Sequence, residues 1–240
     1  MIRTILLSLL TIVLFTSFVL LGTWQLERRA WKLDLIARVD SQLVRAPVLA
    51  PARDQWSQVN QINAYLPVKT RGTYLHARET LVQAMTVLGS GYWVITPLQQ
   101  IDGSVVLINR GFVDAVHQTP DSRPDAQYEG AVDVEGLLRL TEPGGRFLRP
   151  NQPEEGRWYS RDVAGIGDAL NLPVENLAPY FIDASASSNS SEWPVAGLTV
   201  VKFRNSHLMY AITWFTLALM TLVGAWIVLQ NHQSKDPFDG

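Results

Sequence analysis

Residues 4–22 read TILLSLLTIVLFTSFVLLG, a run without one charge. As a helix rising 1.5 Å per residue it spans about 28 Å, the thickness of a bilayer's hydrocarbon core. A second run at residues 208–229, LMYAITWFTLALMTLVGAWIVL, reaches about 33 Å by the same arithmetic. Both are apolar on every side, whereas a helix lying on a soluble core keeps one polar face. These runs predict two transmembrane helices, at 4–22 and 208–229. They enclose a domain at 23–203, and a short tail follows at 230–240.

A cleaved signal peptide is the competing reading of the first run. Its apolar region would be about 7–15 residues, ending in small residues. Here the run continues into LLGTWQLERR, with Trp24 where cleavage needs something small. The first run therefore reads as an uncleaved span. It also begins so near Met1 that no transit peptide fits before it, as expected of a bacterial protein.

The chain has 240 residues and a formal net charge of -2. A nucleic-acid partner would call for a concentrated basic stripe, and none is present. There is no cysteine, which excludes disulfides, iron–sulfur clusters, thiolate zinc sites and a cysteine nucleophile.

Between the spans the sequence opens with WQLERRAWKLDLIARVDSQLV. Trp31, Leu35, Val39 and Leu43 recur every four residues, an amphipathic helix continuing out of the first span and stopped by Pro47. Seven strand candidates follow: LPVKTRGTYL, ETLVQAMTV, YWVITPLQ, SVVLINRGFV, AVDVEGLLRL, PYFIDA and GLTVVKFR. They are short, β-branched or aromatic, and punctuated by glycine and proline. Their spacing predicts a mainly β (α+β) domain whose antiparallel sheet curls toward a small barrel. One helix is expected around WYSRDVAGIGDAL, and DASASSNSSEWP reads as a loop.

No hydrolase, zincin, phosphate-loop or dinucleotide-binding motif is present. The histidines, at 76, 117, 207 and 232, are too far apart in sequence to signal a metal cluster. Three constellations remain. LGTWQLERRAWK (21–32) places Trp24 at the level of the headgroups with Arg28, Arg29 and Lys32 reaching water. LINRGFVD (107–114) offers Asn109 and Arg110, which fit the end of a strand and a structural ion pair. RNSHLMYAITWF (204–215) puts an ionisable His207 at the start of the second span. On a helix, His207, Tyr210, Ala211, Trp214 and Ala218 share one face, a small-residue strip flanked by aromatics that suits another helix or a flat ring. The imidazole either hydrogen-bonds a headgroup or carbonyl, or serves as a metal or cofactor ligand.

The motifs LGTWQLERRAWK, GYWVITPL, VLINRGFV, PNQPEEGRWYSRD and RNSHLMYAITWF, in this order, resemble the surfeit locus protein 1 family. The resemblance runs from Leu21 to Trp214. It implies a two-span assembly factor for cytochrome c oxidase rather than an enzyme. It further implies that heme a is held transiently as cargo, with His207 as axial ligand of the haem iron. Tyr210, Trp214, Trp24, Arg28 and Arg204 are the expected surroundings, the arginines serving the propionates. The implied partners are oxidase subunit I, haem-synthesis or assembly proteins and the lipid bilayer. The implied location is a bacterial inner membrane, with both termini cytoplasmic and the domain periplasmic. Where many relatives have an acidic residue before the histidine, this chain has Ser206.

Positive charge is heavier on the domain side (Arg28, Arg29, Lys32, Lys202, Arg204) than on the terminal side (Arg3, Lys235). Long domains translocate largely regardless of such charge, so the family topology stands as the expectation. The alternative of a different class is a haem-independent membrane scaffold that docks an oxidase intermediate through the region of Arg110 or Trp158.

Overall fold

The apolar run at 4–22 is the first half of a longer helix. α1 (Ile2–Leu43) is 42 residues without a break, ending before Pro47, whose missing N–H and fixed φ stop propagation. The computed structural model describes residues 2–146, 148–186, 192–198 and 205–233. They divide into two compact units, residues 1–38 with 202–240, and residues 39–201.

The second unit is built on β1 (Val48–Leu49), β2 (Pro67–Tyr74), β3 (Thr80–Thr86), β4 (Gly89–Gln99), β5 (Val105–Val113), β6 (Ala131–Leu140), β7 (Gly145–Arg146), β8 (Arg149–Pro150) and β9 (Leu177–Ala184). Six of the strand candidates are recognisable here. The seventh, GLTVVKFR, lies outside the described residues except for Gly197 and Leu198, which are in no strand. β1 and the β7–β8 hairpin have two residues per strand, too few to show a period in sequence.

Five strands close into a barrel in the order β2–β6–β9–β5–β4, and β4 returns to β2 through Thr73 opposite Gln99 and Tyr74 opposite Leu98. The edge of β4 is shared, because β3 covers Gly89–Ile95 and leaves only the far end for β2. Closure removes the exposed edges that an open sheet would present. Four of the five pairings are antiparallel, and β5–β9 is parallel. A ring with an odd number of strands cannot alternate direction all the way round, so one parallel pair is unavoidable. The chain returns from β5 to β9 through β6, the β7–β8 hairpin and α2 (Val163–Ala169), long enough for a parallel pair. Asp162 caps this helix by accepting from the Gly165 N–H at 3.2 Å.

Alternation along β5 and β9 sorts side chains into two cores. Val106 and Ile108 join Val68, Leu98, Val134, Leu138, Tyr180 and Ile182, a cluster drawn from all five barrel strands, which is the interior. Val105 and Leu107 face the other way, toward Trp158, Val163, Ile166 and Phe181, where α2 covers the outside of the barrel. β5 is accordingly buried at every residue, as expected of a strand covered on both faces.

The seam requires close approach. A Cβ on Gly72 would lie 2.4 Å from the Gln99 carbonyl oxygen, so only glycine lets β2 meet β4. Gly72→Val is expected to prise the seam open and cost about 1–3 kcal/mol, read as a lower thermal midpoint in differential scanning fluorimetry. Gly103→Val provides the comparison at a glycine in open space, since nothing lies within 4 Å of its added carbon and only its positive φ of 80° is strained.

Candidate functional site

α3 (His207–Gln233) begins at the histidine itself, after Asn205 and Ser206. Its first turn is closed by the Tyr210 N–H donating to the Ser206 carbonyl. α1 and α3 are both long and apolar enough to cross a membrane, by length and composition. Within their unit they meet along one antiparallel seam. Phe18 stacks on Trp214 with ring centroids 5.7 Å apart. Gly22 is buried, and an added Cβ would lie 2.6 Å from the Phe215 ring. Gln25 reaches His207 at 2.7 Å. Positions 18, 22 and 25 form one face of α1. Ala211 and Ala218, the small residues of the α3 strip, are buried. Of the two uses a small-residue strip suits, the seam takes the helix–helix one.

The contact at His207 has a defined chemistry. The bond joins Nδ1 to Gln25 Oε1, and an amide oxygen can only accept. Nδ1 therefore carries a proton, and this tautomer of the ring presents its lone pair at Nε2. Holding the distal ring nitrogen by a neighbouring acceptor is how proteins orient an imidazole for a metal. His207 is half-buried, and nearby Asn205 has a buried Oδ1 with no hydrogen-bond partner.

The other expected site residues distribute unevenly. Trp214 lies in the seam against Phe18, half-buried. Tyr210 and Trp24 are exposed, 57% and 53%. Arg28 lays its guanidinium 4.0 Å over the Trp31 ring, a cation–π pairing on its own helix. Arg29, four residues beyond Gln25, continues the seam face of α1 and is half-buried. Arg204 and Lys202 lie outside the described residues. Gln25 was missed by sequence reasoning. The available signal was its spacing of seven from Phe18, matching the spacing of seven between His207 and Trp214.

In the barrel unit the motif side chains turn inward. Asn109 and Arg110, adjacent on β5, serve two different networks. Asn109 donates to Asp183 at 2.7 Å, which also receives Arg139 at 2.7 Å and Arg161 at 3.1 Å. Arg161 binds Glu142 at 2.5 Å and lies 4.7 Å over the Phe181 ring. Arg110 faces Glu79 at 3.7 Å, and Arg123 binds the same carboxylate at 2.6 Å. Arg110 also donates to the Ala126 carbonyl and lies 4.9 Å over the Tyr74 ring. Burial pushes the Tyr74 hydroxyl up to about 12, with the Arg110 charge offsetting part of the rise.

Gly111 follows with φ of 134°, and its added Cβ would meet the Val195 carbonyl at 2.4 Å. That close approach lets Phe112 exchange backbone hydrogen bonds with Val195, at 2.9 and 2.8 Å. In the NQPEEGRWYSRD motif, Asn151 accepts from the backbone N–H groups of Tyr159 and Ser160, at 2.8 and 3.1 Å. Arg110 and Trp158, which the scaffold reading offered for docking, are 6% and 5% exposed. Neither offers a surface to a partner; both belong to the barrel's own architecture.

Among the described residues no three histidine or carboxylate side chains gather where a metal ion would sit. His76 contacts the Tyr128 carbonyl at 3.0 Å. His117 is tied to Asp114 at 2.7 Å and stacks on Trp193. Of these three, His207 is the one on a helix of spanning length, bonded through Nδ1 to an uncharged amide rather than to a carboxylate or a backbone carbonyl.

Comparison with known proteins places this arrangement. The family model described as the SURF1 family matches residues 12–219, taking in the barrel, most of α1 and the first part of α3. The chain belongs to the SURF1 family. Surfeit locus protein 1 of Homo sapiens is 37% identical over 218 residues, spanning 84% of this chain and 70% of that protein. The SURF1-like protein of Monosiga brevicollis is 35% identical, spanning 88% of this chain and 82% of its own. Surfeit locus protein 1 of Takifugu rubripes is 33% identical, spanning 84% and 88%. With two helices of spanning length around the barrel unit, this SURF1-family chain is a two-pass membrane protein.

Two measurements check these contacts. The chain has no native cysteine, so Phe18→Cys paired with Trp214→Cys should cross-link in membranes with a short bifunctional thiol reagent. Phe18→Cys paired with Ile227→Cys should not. The second concerns Glu142. Burial alone would raise its pKa, but the Arg161 hydrogen bond and charge prevail and hold it below the ordinary 4.5. Its stabilisation is therefore complete above that ordinary value and is lost as pH falls through the lowered one. Thermal midpoints followed from pH 7 to pH 3 should fall more steeply for the native chain than for Glu142→Gln.

Proposed function

We propose that this SURF1-family chain is an assembly factor for cytochrome c oxidase that holds heme a through His207 Nε2 and passes it to subunit I. The observation that carries the reading is the Gln25–His207 hydrogen bond, which fixes the tautomer and leaves one nitrogen free at the end of a spanning helix. Neutral imidazole is a good axial ligand for haem iron. Heme a brings an iron able to accept an axial nitrogen and a long apolar tail suited to the bilayer edge.

The chain's own groups then divide the work. Gln25 orients the ring. The exposed faces of Tyr210, on the ligand's own helix, and of Trp24, beside Gln25 on α1, offer aromatic surface. Arg29, and Arg28 once released from Trp31, are the cations available to propionates on α1. A single protein ligand suits a carrier, because a second one would close the site and slow release. In this reading the chain works without catalysing a reaction, from a bacterial inner membrane with its barrel on the periplasmic side. Its partners are the oxidase's large subunit and the haem-synthesis or assembly proteins.

The test is the absorbance spectrum of the protein purified from cells that make heme a. A Soret band is expected, and His207→Ala should lose it while keeping native circular dichroism and membrane insertion. Gln25→Leu should retain the band but weaken haem affinity about 10–100-fold in titration. A full band in His207→Ala would overturn the ligand assignment.

A further inference from the structure

The β3–β4 hairpin ends in a turn whose composition the barrel does not explain. Thr86 pairs with Gly89, leaving Val87 and Leu88 as a two-residue loop. Such loops take asparagine, aspartate or glycine, which tolerate the backbone and face water. Here Val87 is 83% exposed and Leu88 51%, with Met85 beside them also exposed. No residue from 80 to 101 carries a charge, so nothing on the hairpin makes it water-seeking.

A second hairpin repeats the pattern with charge added. In β7–β8, Arg146 pairs with Arg149, and between them Leu148 is held at φ of 62° and is 85% exposed. A branched side chain in the left-handed region, at an exposed turn, is strained without any burial to offset it. Both arginines are exposed and neither makes an ion pair among the described residues. The two hairpins are neighbours, since Arg149 Nη1 lies 3.4 Å from Gln83 Oε1 on β3.

We propose that these two hairpins form a lipid-contacting edge of the barrel, with Val87, Leu88 and Leu148 entering the acyl boundary of a bilayer and Arg146 and Arg149 binding lipid phosphates. Exposed apolar turn residues next to guanidinium groups without a carboxylate partner among the described residues match the two layers of an anionic lipid surface, apolar inside and phosphate outside. An apolar pocket on a partner protein would answer the apolar side chains but give the two positive charges no anion. The bilayer is also the surface to which this chain is tied at both ends of the barrel unit, by α1 and α3. The contact is independent of haem.

The absence of native cysteine makes the test direct. Full-length protein carrying Val87→Cys, Leu148→Cys or Ile101→Cys is labelled with the environment-sensitive fluorophore NBD and reconstituted in nanodiscs containing anionic phosphatidylglycerol. Ile101 is fully exposed in the β4–β5 connection, at the opposite end of β4, and serves as the reference. Labels at 87 and 148 should emit to the blue of the label at 101. Lipids with a nitroxide near the headgroup should quench them, and aqueous iodide should not. Adding Arg146→Glu and Arg149→Glu should reduce the lipid quenching at 87. Quenching at 87 and 148 that matches position 101 would overturn the proposal. Protection from iodide without quenching by nitroxide lipid would overturn it in favour of a protein surface. Lipid quenching unaffected by the charge reversal would overturn the phosphate-binding half.

Discussion

Five strands closing on themselves impose the constraint from which the barrel unit follows. An odd ring needs one parallel pair, and a parallel pair needs a long crossover. Here β5 and β9 are joined through β6, the β7–β8 hairpin and α2, and α2 is laid over the outer core. Where β4 meets β2 the two strands come closer than a side chain would permit, and Gly72 against Gln99 allows it. The parallel pair and the glycine at the seam are thus consequences of a single closure.

Closure also explains why the strongest motifs of the barrel are structural. β5 is buried on both faces, so its polar residues must be satisfied inside the protein. Asn109 turns to Asp183 and Arg110 to Glu79, and each carboxylate recruits further arginines. Removing one partner from such a network leaves an uncompensated buried charge, which is far more damaging than the pair is stabilising. A residue pattern maintained for that reason looks, in sequence, like a functional site. The exposures of Arg110 and Trp158 separate the two explanations.

The helix pair uses its polar groups differently from the barrel. Along its seam the packing is aromatic and small-residue, as expected where helices associate without a hydrophobic driving force. At one end the seam substitutes a hydrogen bond for an apolar contact, Gln25 to His207. That exchange orients an imidazole while leaving a nitrogen free, which packing alone would not do. Glutamine, being uncharged, does this without placing an unpaired carboxylate at the end of a spanning segment.

The sequence by itself determined the two spanning helices, the helical extension as far as Leu43, and most strands of the barrel. Each is written in local periodicity or in unbroken apolar length, which a short window contains. It also contained His207 as a costly group at a helix start. Tertiary structure alone decided the closure of the ring, the parallel β5–β9 pair and the inward turn of Arg110, because these depend on residues far apart in the chain. It alone decided that Gln25, 182 residues from His207, holds the imidazole. The orientation of a side chain belongs to the partner it meets, and no local pattern names that partner.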